Sequence, residues 1–445
     1  MTRSNVLTRT LGLPSLVLLG LAYMTPIIVL GIFGIVAEIT AGASASAYLV
    51  ALVAMVFTAS SYARLSAAYP VAGSAYTYVG KTVDSRVGFL VGWTVLLDYL
   101  FLPMVIWLIG ASYLNAQFPS VPNAVWVLAF IAITTFLNIV GIKVAERTNF
   151  LLMAFQTLVL ILFVIFAIMF IVGANGVGGL VNSSPFVGID ASFGAITAGA
   201  AVAAYCFLGF DAVTTFTEET IDPRRTVPKA IMLVALLGGG IFVAVSYVTQ
   251  LVYPGGTFEN SGSAAFDIAG QIGGALFSAI FVAGLVVAQF TSGLAAQASA
   301  SRLIFAMGRD GVLPRKLFGM VNKKFLTPVT GIVVIGIVGL AALFLDITTS
   351  TSFINFGAFT AFTFVNIAVV AHYIRESKKG AKLNRLVYLV MPIIGAIVDA
   401  YLLMQLDSTA LTLGLSWLGI GVVVLLILTA GFTRRPPEIL AEASA

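Results

Sequence analysis

Long apolar runs alternate with short polar segments along almost the whole chain. A helix that crosses the hydrocarbon core of a bilayer needs ~20 consecutive apolar residues. Twelve runs are long enough, and they cover residues 14–38, 43–67, 87–113, 124–142, 149–173, 192–216, 228–252, 270–300, 328–345, 352–373, 386–406 and 411–432. The pattern therefore predicts an all-α integral membrane protein with twelve transmembrane helices.

Two of the predicted spans are interrupted near their middle. The first contains Thr25 and Pro26 followed by Gly31, and the sixth contains Leu-Gly-Phe-Asp at 208–211. Broken helices at corresponding positions of two halves are typical of an inverted repeat with a binding site near the membrane midplane. Because the two breaks are five helices apart and five is odd, the two halves would have opposite topology.

This spacing predicts a 5+5 inverted repeat within a single domain. Helices one to five form the first repeat, helices six to ten form the second, and helices eleven and twelve lie outside the repeat. The corresponding residues are 1–173, 192–375 and 386–432.

The composition agrees with a membrane protein and excludes several kinds of site. The chain is 60% hydrophobic and only 9% charged, whereas soluble domains have about a quarter charged residues. The single Cys206 excludes a disulfide framework, and the single His372 leaves neither a His-based metal site nor a Ser-His-Asp triad. We therefore expect no metal, no cofactor and no enzyme activity.

The distribution of charge predicts the orientation. If the N-terminus is cytoplasmic, all 23 Lys and Arg residues fall on the inner side of the twelve spans, as the positive-inside rule requires. The outer segments carry acidic residues, namely Glu38, Asp190, Glu259, Asp267, Asp346 and Asp407. We predict a multi-pass protein of the cell (inner or plasma) membrane with both termini in the cytoplasm. This topology is sufficient to explain the basic inner face, to which anionic membrane lipid can add, and we expect no nucleic-acid partner.

Three segments carry a family resemblance. Residues 207–231, FLGFDAVTTFTEETIDPRRTVPKAI, resemble the sixth helix and following loop of the amino acid–polyamine–organocation (APC) permeases, which run into Glu-Glu and Pro-x-Arg-x-x-Pro. Residues 300–314, ASRLIFAMGRDGVLP, followed by Thr327 and Pro328, are similar to the family's loop after helix eight. The third match is a Pro-x-x-Gly-x-x-Tyr-x-Tyr pattern at Pro70, Gly73, Tyr76 and Tyr78.

Within that superfamily the chain most resembles bacterial putrescine-importer-like permeases, through LDYLFLP in helix three and FLGFDAVTTFTEET in helix six. The resemblance implies the LeuT-like APC fold, alternating access, and a substrate held between broken helices one and six with help from helices three and eight. We therefore expect a secondary active transporter, a monomer or homodimer, that imports a small organic cation such as putrescine by proton symport. A neutral or cationic amino acid permease, working as symporter or exchanger, is the alternative. A channel or a substrate sensor is an alternative of a different class.

Helix one departs from the amino acid transporters of the family. Those members usually carry Gly-Ser-Gly-Ile-Phe, whose free N–H groups bind the substrate carboxylate at the positive end of a half-helix. The matching residues 29–33 are Val-Leu-Gly-Ile-Phe, so only Gly31 remains of the glycines. This weakens the case for an α-amino acid substrate. Pro26 removes one helix hydrogen bond, and a merely kinked helix is the alternative to a broken one.

Three aspartates lie inside predicted spans: Asp98, Asp211 and Asp399. A buried carboxylate needs a cationic partner or a proton, and no Lys or Arg lies in any span core. We expect Asp98 to contact a substrate ammonium, with a proton site or a structural hydrogen bond as alternatives. For Asp211 we expect proton coupling, with an amine contact or satisfaction of broken backbone as alternatives. Asp399, outside the repeat, is expected to serve packing or an interface.

The remaining predicted residues surround these carboxylates. Aromatic side chains suit an alkylammonium through cation–π contacts. The predicted substrate site comprises Tyr23, Thr25, Pro26, Gly31, Asp98, Tyr99, Tyr205, Phe207, Leu208, Gly209 and Phe210. We expect an inner gate of Glu218, Glu219 and Arg225 that pairs with Arg302 or Arg64, or else a solvated loop.

The coupling ion is expected to be a proton rather than sodium. In some proton-linked relatives a Lys of helix five takes the place of sodium, but here that helix offers only Gln156 and Thr157 as midspan polar groups. Thr291 and Ser292 could ligate sodium, yet no acidic residue is near them in sequence, and such hydroxyls commonly bond to their own helix.

Overall fold

The computed structural model describes residues 9–70, 75–141, 146–309, 313–322, 324–434 and 436, with the backbone alone described at 146–150, 218, 306 and 309. Within these ranges the chain is helical and contains no strand beyond one isolated bridge. Gly73 of the Pro-x-x-Gly pattern and residues 310–312 lie outside the described residues.

Eleven helical spans in the described part of the chain are long and apolar enough to cross a membrane. They are Leu13–Gly31, Ser44–Ala68, Ser85–Gln117, Asn123–Val140, Leu151–Asn175, Phe193–Thr217, Pro223–Val252, Ser261–Phe305, Ile347–Lys378, Leu386–Met404 and Ser408–Leu428. A shorter apolar helix, Val329–Leu343, takes the place of the ninth predicted span. The all-helical membrane fold is thus confirmed with eleven such spans, and the twelfth stays a prediction.

The α-helices are numbered along the chain. They are α1 (Leu13–Met24), α2 (Ile28–Gly31), α3 (Phe33–Ile39), α4 (Ser44–Ala68), α5 (Ala75–Thr82), α6 (Ser85–Gln117), α7 (Asn123–Val140), α8 (Glu146–Asn175), α9 (Ser184–Val187), α10 (Phe193–Ala203), α11 (Pro223–Val252), α12 (Ala264–Arg309), α13 (Arg315–Phe318), α14 (Val329–Gly339), α15 (Ile347–Lys378), α16 (Met391–Met404) and α17 (Ser408–Leu428). Short 3₁₀ or π segments lie at Val177–Leu180, Ala204–Phe207, Asp211–Glu219, Ser261–Ser263, Leu340–Leu343 and Leu386–Val390. The eighth predicted span, 270–300, is longer in the structure, and α12 bends at Gly274, where φ is 73°.

The first span is broken, as its sequence predicts. α1 ends where Thr25 adopts a left-handed conformation with φ of 49°, and Pro26 follows without an N–H to donate. Side chains from neighbouring helices satisfy carbonyls beyond the break. The Tyr113 hydroxyl donates to the carbonyl oxygen of Leu30 at 2.7 Å, and the Tyr48 hydroxyl donates to that of Val29 at 3.4 Å. Such partners allow non-helical backbone inside a membrane protein.

The sixth span is broken in a similar way. α10 passes into the 3₁₀ segment Ala204–Phe207, Leu208 is extended with ψ of 131°, and Gly209 has φ of +105°. A second 3₁₀ segment, Asp211–Glu219, then completes the span. Asn355 of α15 donates to the carbonyl oxygen of Ala201 at 2.7 Å, just before the break. The left-handed conformation at Gly209 is one that residues with a Cβ rarely adopt.

Helix packing brings the two breaks together. The most extensive contacts join α4 to α11 and α6 to α12, while α1 packs against α11 and the segment Asp211–Glu219. The backbone also joins the chain before α1 to the end of the sixth span. The N–H groups of Thr10 and Leu11 donate to the carbonyl oxygen of Glu219, and Ile221 donates back to Leu11. The start of the first span is therefore bonded to the end of the sixth.

Candidate functional site

A cavity of about 360 Å³ lies where the two broken spans face α6, α8 and α12. Its lining combines apolar side chains with a few polar groups, the composition usual for small-molecule sites. The lining residues are Leu19, Ala22, Tyr23, Met24, Thr25, Ile28, Val95, Asp98, Tyr99, Leu102, Ile106, Met153, Gln156, Tyr205, Leu208, Gly209, Asp211, Ala212, Thr214, Thr215, Phe216, Gln289, Thr291, Ser292, Ala295, Ala296 and Ser299.

Most residues of the predicted substrate site line this cavity, although they come from three separate parts of the chain. Those in the lining are Tyr23, Thr25, Asp98, Tyr99, Tyr205, Leu208, Gly209 and the coupling candidate Asp211. Four predicted residues are not in the lining, namely Pro26, Gly31, Phe207 and Phe210.

The two phenylalanines lie behind the sixth-span break instead. Phe207 packs edge-on against Phe242 with ring centroids 5.1 Å apart. Phe210 lies between Tyr62 and Phe362, at 5.7 and 5.4 Å. Both phenylalanine side chains are fully buried, so they hold the broken backbone in place and leave the cavity wall to their neighbours.

Gly31 and Pro26 act through the backbone of the first span. A Cβ added at Gly31 would lie 3.2 Å from Ile28, 3.3 Å from Ile109 and 3.9 Å from Nε2 of Gln289. The position therefore allows α2 to approach α6 and α12 closely. Pro26 lies in the break itself, between α1 and α2.

Asp98 contributes a carboxyl group to the cavity wall. Its Oδ1 atom is buried and has no hydrogen-bond partner among the described residues. No Lys or Arg occurs among the described residues that line the cavity. An ionised carboxylate in this position has no counter-charge from the described lining, and an incoming cation can supply one.

Asp211 has a different environment, since it faces the cavity but also has a protein partner. It begins the 3₁₀ segment after the break, and the hydroxyl of buried Tyr62 donates to its Oδ2 at 3.4 Å. Tyr62 belongs to α4, so this hydrogen bond joins the sixth-span break to the second span.

Close approach between the two breaks depends on Gly209. A Cβ at this position would overlap the ring of Tyr23. Tyr23 is 51% exposed although it lies within the helix bundle, because its ring borders the cavity. The glycine thus lets an aromatic side chain of the first span form the wall next to the sixth.

Sequence reasoning missed the contribution of α12 to the lining. Gln289 and Ser299 were not predicted, and Thr291 and Ser292 were considered only as sodium ligands. The available signal was an amide in the middle of an apolar helix. The Thr291 hydroxyl donates to its own helix, to the carbonyl oxygens of Val287 at 2.9 Å and Ala288 at 3.1 Å. Among the described residues, no group of three or more His, Cys, Asp or Glu could hold a metal ion.

Asp399 belongs to a separate, fully buried network. Its Oδ2 accepts hydrogen bonds from Thr58 at 2.7 Å and from Asn366 at 2.9 Å. Ser61 donates to Oδ1 of Asn366 at 2.6 Å. The network joins α4, α15 and α16 outside the cavity, which agrees with the packing role expected for Asp399.

The gate expected after the sixth span stays a prediction, and the structure describes part of its surroundings. Arg225 lies 3.8 Å from Asp222, with side chains 84% and 56% exposed. Arg64 donates to the carbonyl oxygen of Val387 at 3.0 Å and lies over the ring of Tyr388. Within the described residues, no ion pair joins Glu219 to Arg64 or Arg302. The side chain of Glu218 lies outside the described residues.

The fold and the cavity together define a class of protein: a multi-pass membrane protein whose polar site lies between two broken helices, as in permeases. The profile of the amino acid permease family matches residues 11–436. The chain therefore belongs to the amino acid permease family.

Several characterised relatives are transporters by name. The low-affinity putrescine importer PlaP of Escherichia coli is 37% identical over 441 residues, which cover 97% of this chain and 96% of the importer. The methylthioribose transporter of Bacillus subtilis is 27% identical, with 95% of this chain and 94% of the relative covered. The branched-chain amino acid permease BcaP of the same organism is also 27% identical, with 94% and 92% covered.

Proposed function

We propose that this protein is a secondary active transporter that imports a small organic cation, a putrescine-like amine, by proton symport with alternating access. The transporter lies in the cell membrane with twelve spans and both termini in the cytoplasm. The observation that carries the proposal is the unpartnered Oδ1 of Asp98 in a cavity whose described lining contains no cationic side chain.

An amine is the ligand that this electrostatic environment favours. Asp98 and Asp211 line the cavity together, and a second carboxylate raises the free energy of the first unless a cation binds. Tyr23, Tyr99 and Tyr205 line the same space. The ammonium group of an alkylammonium ion can hydrogen-bond to the carboxylate and contact aromatic faces. Its methylene groups can pack against the apolar part of the cavity wall. The relative PlaP, a putrescine importer by name, supports the same class of substrate.

Proton coupling is assigned to Asp211. A carboxyl group that faces a cavity and also accepts a hydrogen bond from Tyr62 can exchange a proton with the cavity without losing its place in the fold. The described lining contains no acidic side chain other than Asp98 and Asp211.

Alternating access is supported by a difference between the two sides of the breaks. The cavity wall includes the inner half of the first span, at Leu19, and the 3₁₀ segment after Asp211. On the other side the packing is close. A Cβ at Gly34 would overlap Ser261 and Ala264, and one at Gly256 would overlap Ala37. We infer that the conformation opens towards the cytoplasm and is closed outside.

The proposed inverted repeat has support from packing as well. α4 and α11 belong to spans two and seven, and α6 and α12 belong to spans three and eight, so the most extensive contacts join helices five spans apart. The tie between Thr10, Leu11 and Glu219 would make the inner halves of spans one and six move as one unit.

An amino acid permease is the second candidate. The free Nε2 donor of Gln289 in the cavity could bind a carboxylate, and the relative BcaP is a branched-chain amino acid permease by name.

Uptake of labelled putrescine into proteoliposomes separates these candidates. We expect saturable uptake that a pH gradient drives without sodium and that diamines inhibit, whereas α-amino acids do not. Uptake of α-amino acids that diamines fail to inhibit would assign the second candidate. A flux that does not saturate would indicate a channel.

A further inference from the structure

The cavity has a second group of unpaired polar atoms, on the wall formed by α8 and α12. Gln156 is 6% exposed and Gln289 is 2% exposed. Both line the cavity, and neither Oε1 of Gln156 nor Nε2 of Gln289 has a hydrogen-bond partner among the described residues. Two buried amides without partners are costly unless a ligand or water satisfies them. We call these two residues the amide pair.

Contacts between α8 and α12 place the two amides close together along the helix axes. Phe166 contacts Phe277, and the Cβ of Val159 lies 3.0 Å from a Cβ built at Gly284. α8 and α12 therefore run antiparallel, because the earlier residue of α8 contacts the later residue of α12. Continuing from the pair 159 and 284 for three residues brings Gln156 level with residue 287, which is two residues, or about 3 Å along the helix axis, from Gln289.

The amide pair lies far from Asp98 along the cavity. A Cβ at Gly110 of α6 would lie 3.2 Å from the Cβ of Gln289. Gly110 is therefore the position along α6 that is level with the amide pair. Asp98 lies twelve residues earlier on the same helix. At 1.5 Å per residue this separation is about 18 Å along the helix axis.

We propose that Asp98 and the amide pair hold the two ends of one linear polyamine of triamine length or more, a substrate class that rests on the proposed amine transport. Hydrogen bonds of about 2.9 Å at each end leave roughly 12 Å between the terminal nitrogens. An extended chain advances about 1.2 Å per bond. The five bonds of a four-carbon diamine reach about 6 Å, and the nine bonds between the ends of a linear triamine reach about 11 Å.

The chemistry of the amides fits a terminal ammonium. The Gln156 oxygen is a free acceptor as placed, and Gln289 presents its oxygen when its amide turns by half a rotation, since the O and N of an amide are nearly the same size. An α-amino acid cannot use both ends of the cavity. Its ammonium and carboxylate are only two bonds apart, so a carboxylate at the amide pair leaves Asp98 without a partner.

Binding of a length series to the purified protein in nanodiscs tests the proposal. The probes are putrescine, an eight-carbon α,ω-diamine and spermidine; the last two have nine bonds between their terminal nitrogens. We expect both longer amines to bind about tenfold or more tightly than putrescine, as the added charge-assisted hydrogen bonds require. Equal affinity across the series would overturn the inference.

Variants locate the effect. The double variant Gln156→Leu, Gln289→Leu should lose the length preference, so that the longer amines bind no more tightly than putrescine. Gln271→Leu is the matched control, because Gln271 is exposed on the same helix α12, and it should keep the preference. Gln289→Glu preserves the shape and should tighten the binding of the longer amines alone, which keeps the test valid if the double variant does not fold.

The outcomes distinguish this inference from the proposed function. If putrescine binds, Asp98→Asn abolishes that binding and chain length has no effect, amine transport stands and the two-ended site is wrong. If the double variant keeps the length preference, the amide pair is not the second end. If no amine binds at all, both proposals are wrong.

Discussion

Asp98 and Asp399 are both aspartates within apolar helices, but they differ in what satisfies them. Asp399 accepts hydrogen bonds at Oδ2 from Thr58 and Asn366 on two other helices, although its buried Oδ1 has no partner among the described residues. Asp98 lies on the cavity wall, and its Oδ1 has no partner among the described residues. The hydropathy pattern around the two residues is similar, so their roles differ because of their neighbours in space. A carboxylate with protein partners stabilises the fold, and one without them is available to a ligand.

The largest effect is expected where the protein supplies no partner. Asp98→Asn keeps the size of the side chain but removes its charge, so the bound amine loses its counter-ion. Losing one member of a buried charge pair costs about 2–5 kcal/mol, so uptake should fall at least about 30-fold. The thermal stability of the substrate-free protein should not fall. Normal uptake by this variant would refute the amine contact.

Asp399→Ala is expected to have the opposite outcome. The change leaves the buried Thr58 and Asn366 without their acceptor, at a cost of about 1–3 kcal/mol in the free energy of unfolding. Thermal unfolding in detergent should shift downward, while uptake per folded molecule stays near that of the unchanged protein. Asp399→Asn, which keeps an acceptor, is the milder control. Loss of transport without loss of stability would mean that Asp399 acts in the transport cycle.

Asp211 is the intermediate case, since it faces the cavity and accepts a hydrogen bond from Tyr62. Asp211→Asn should abolish the pH dependence of uptake, because an amide cannot carry the proton. Tyr62→Phe should keep a pH-dependent uptake and lower stability by about 0.5–1.5 kcal/mol, the usual contribution of one hydrogen bond. The measurement is initial uptake rate across a pH series, and an unchanged profile in Asp211→Asn would exclude this residue from coupling.

The smallest effect is expected where solvent surrounds the charge. Arg225 and Asp222 form an exposed pair, and such pairs contribute about 0–1 kcal/mol. Arg225→Ala should therefore leave thermal stability and uptake almost unchanged. A large loss of uptake with normal stability would support the gate that the sequence predicts for this residue.

Some features of the site follow from sequence alone, and others do not. Thr25, Pro26 and the residues 208–211 mark both breaks because proline and glycine disrupt helical hydrogen bonding wherever they occur. The direction of each side chain at a break is a different matter. Phe207 and Phe210 were expected in the substrate site, yet they pack against Phe242, Tyr62 and Phe362. Helical periodicity does not apply across a 3₁₀ segment and a glycine with positive φ.

The contribution of α12 shows the same limit. Gln289 is one amide in a long apolar helix, and its sequence neighbours do not reveal whether it faces lipid, a hydrogen-bond partner or a cavity. Gln297, two turns further on, donates to Thr135 and to a backbone carbonyl, whereas Nε2 of Gln289 has no partner within the described residues. Only the positions of the neighbouring helices distinguish these two amides.

By itself the sequence determined that the chain is a helical membrane protein, where two of its helices break, and which aspartates lie at membrane depth. These properties depend on local hydropathy and backbone chemistry, which act at each residue independently of distant segments. The tertiary structure alone decided that Asp98 faces a cavity while Asp399 faces donors, and that two glutamines far apart in sequence lie close together along the helix axes. Partners across a helix bundle come from distant parts of the chain, so burial and hydrogen bonding are properties of the packed structure.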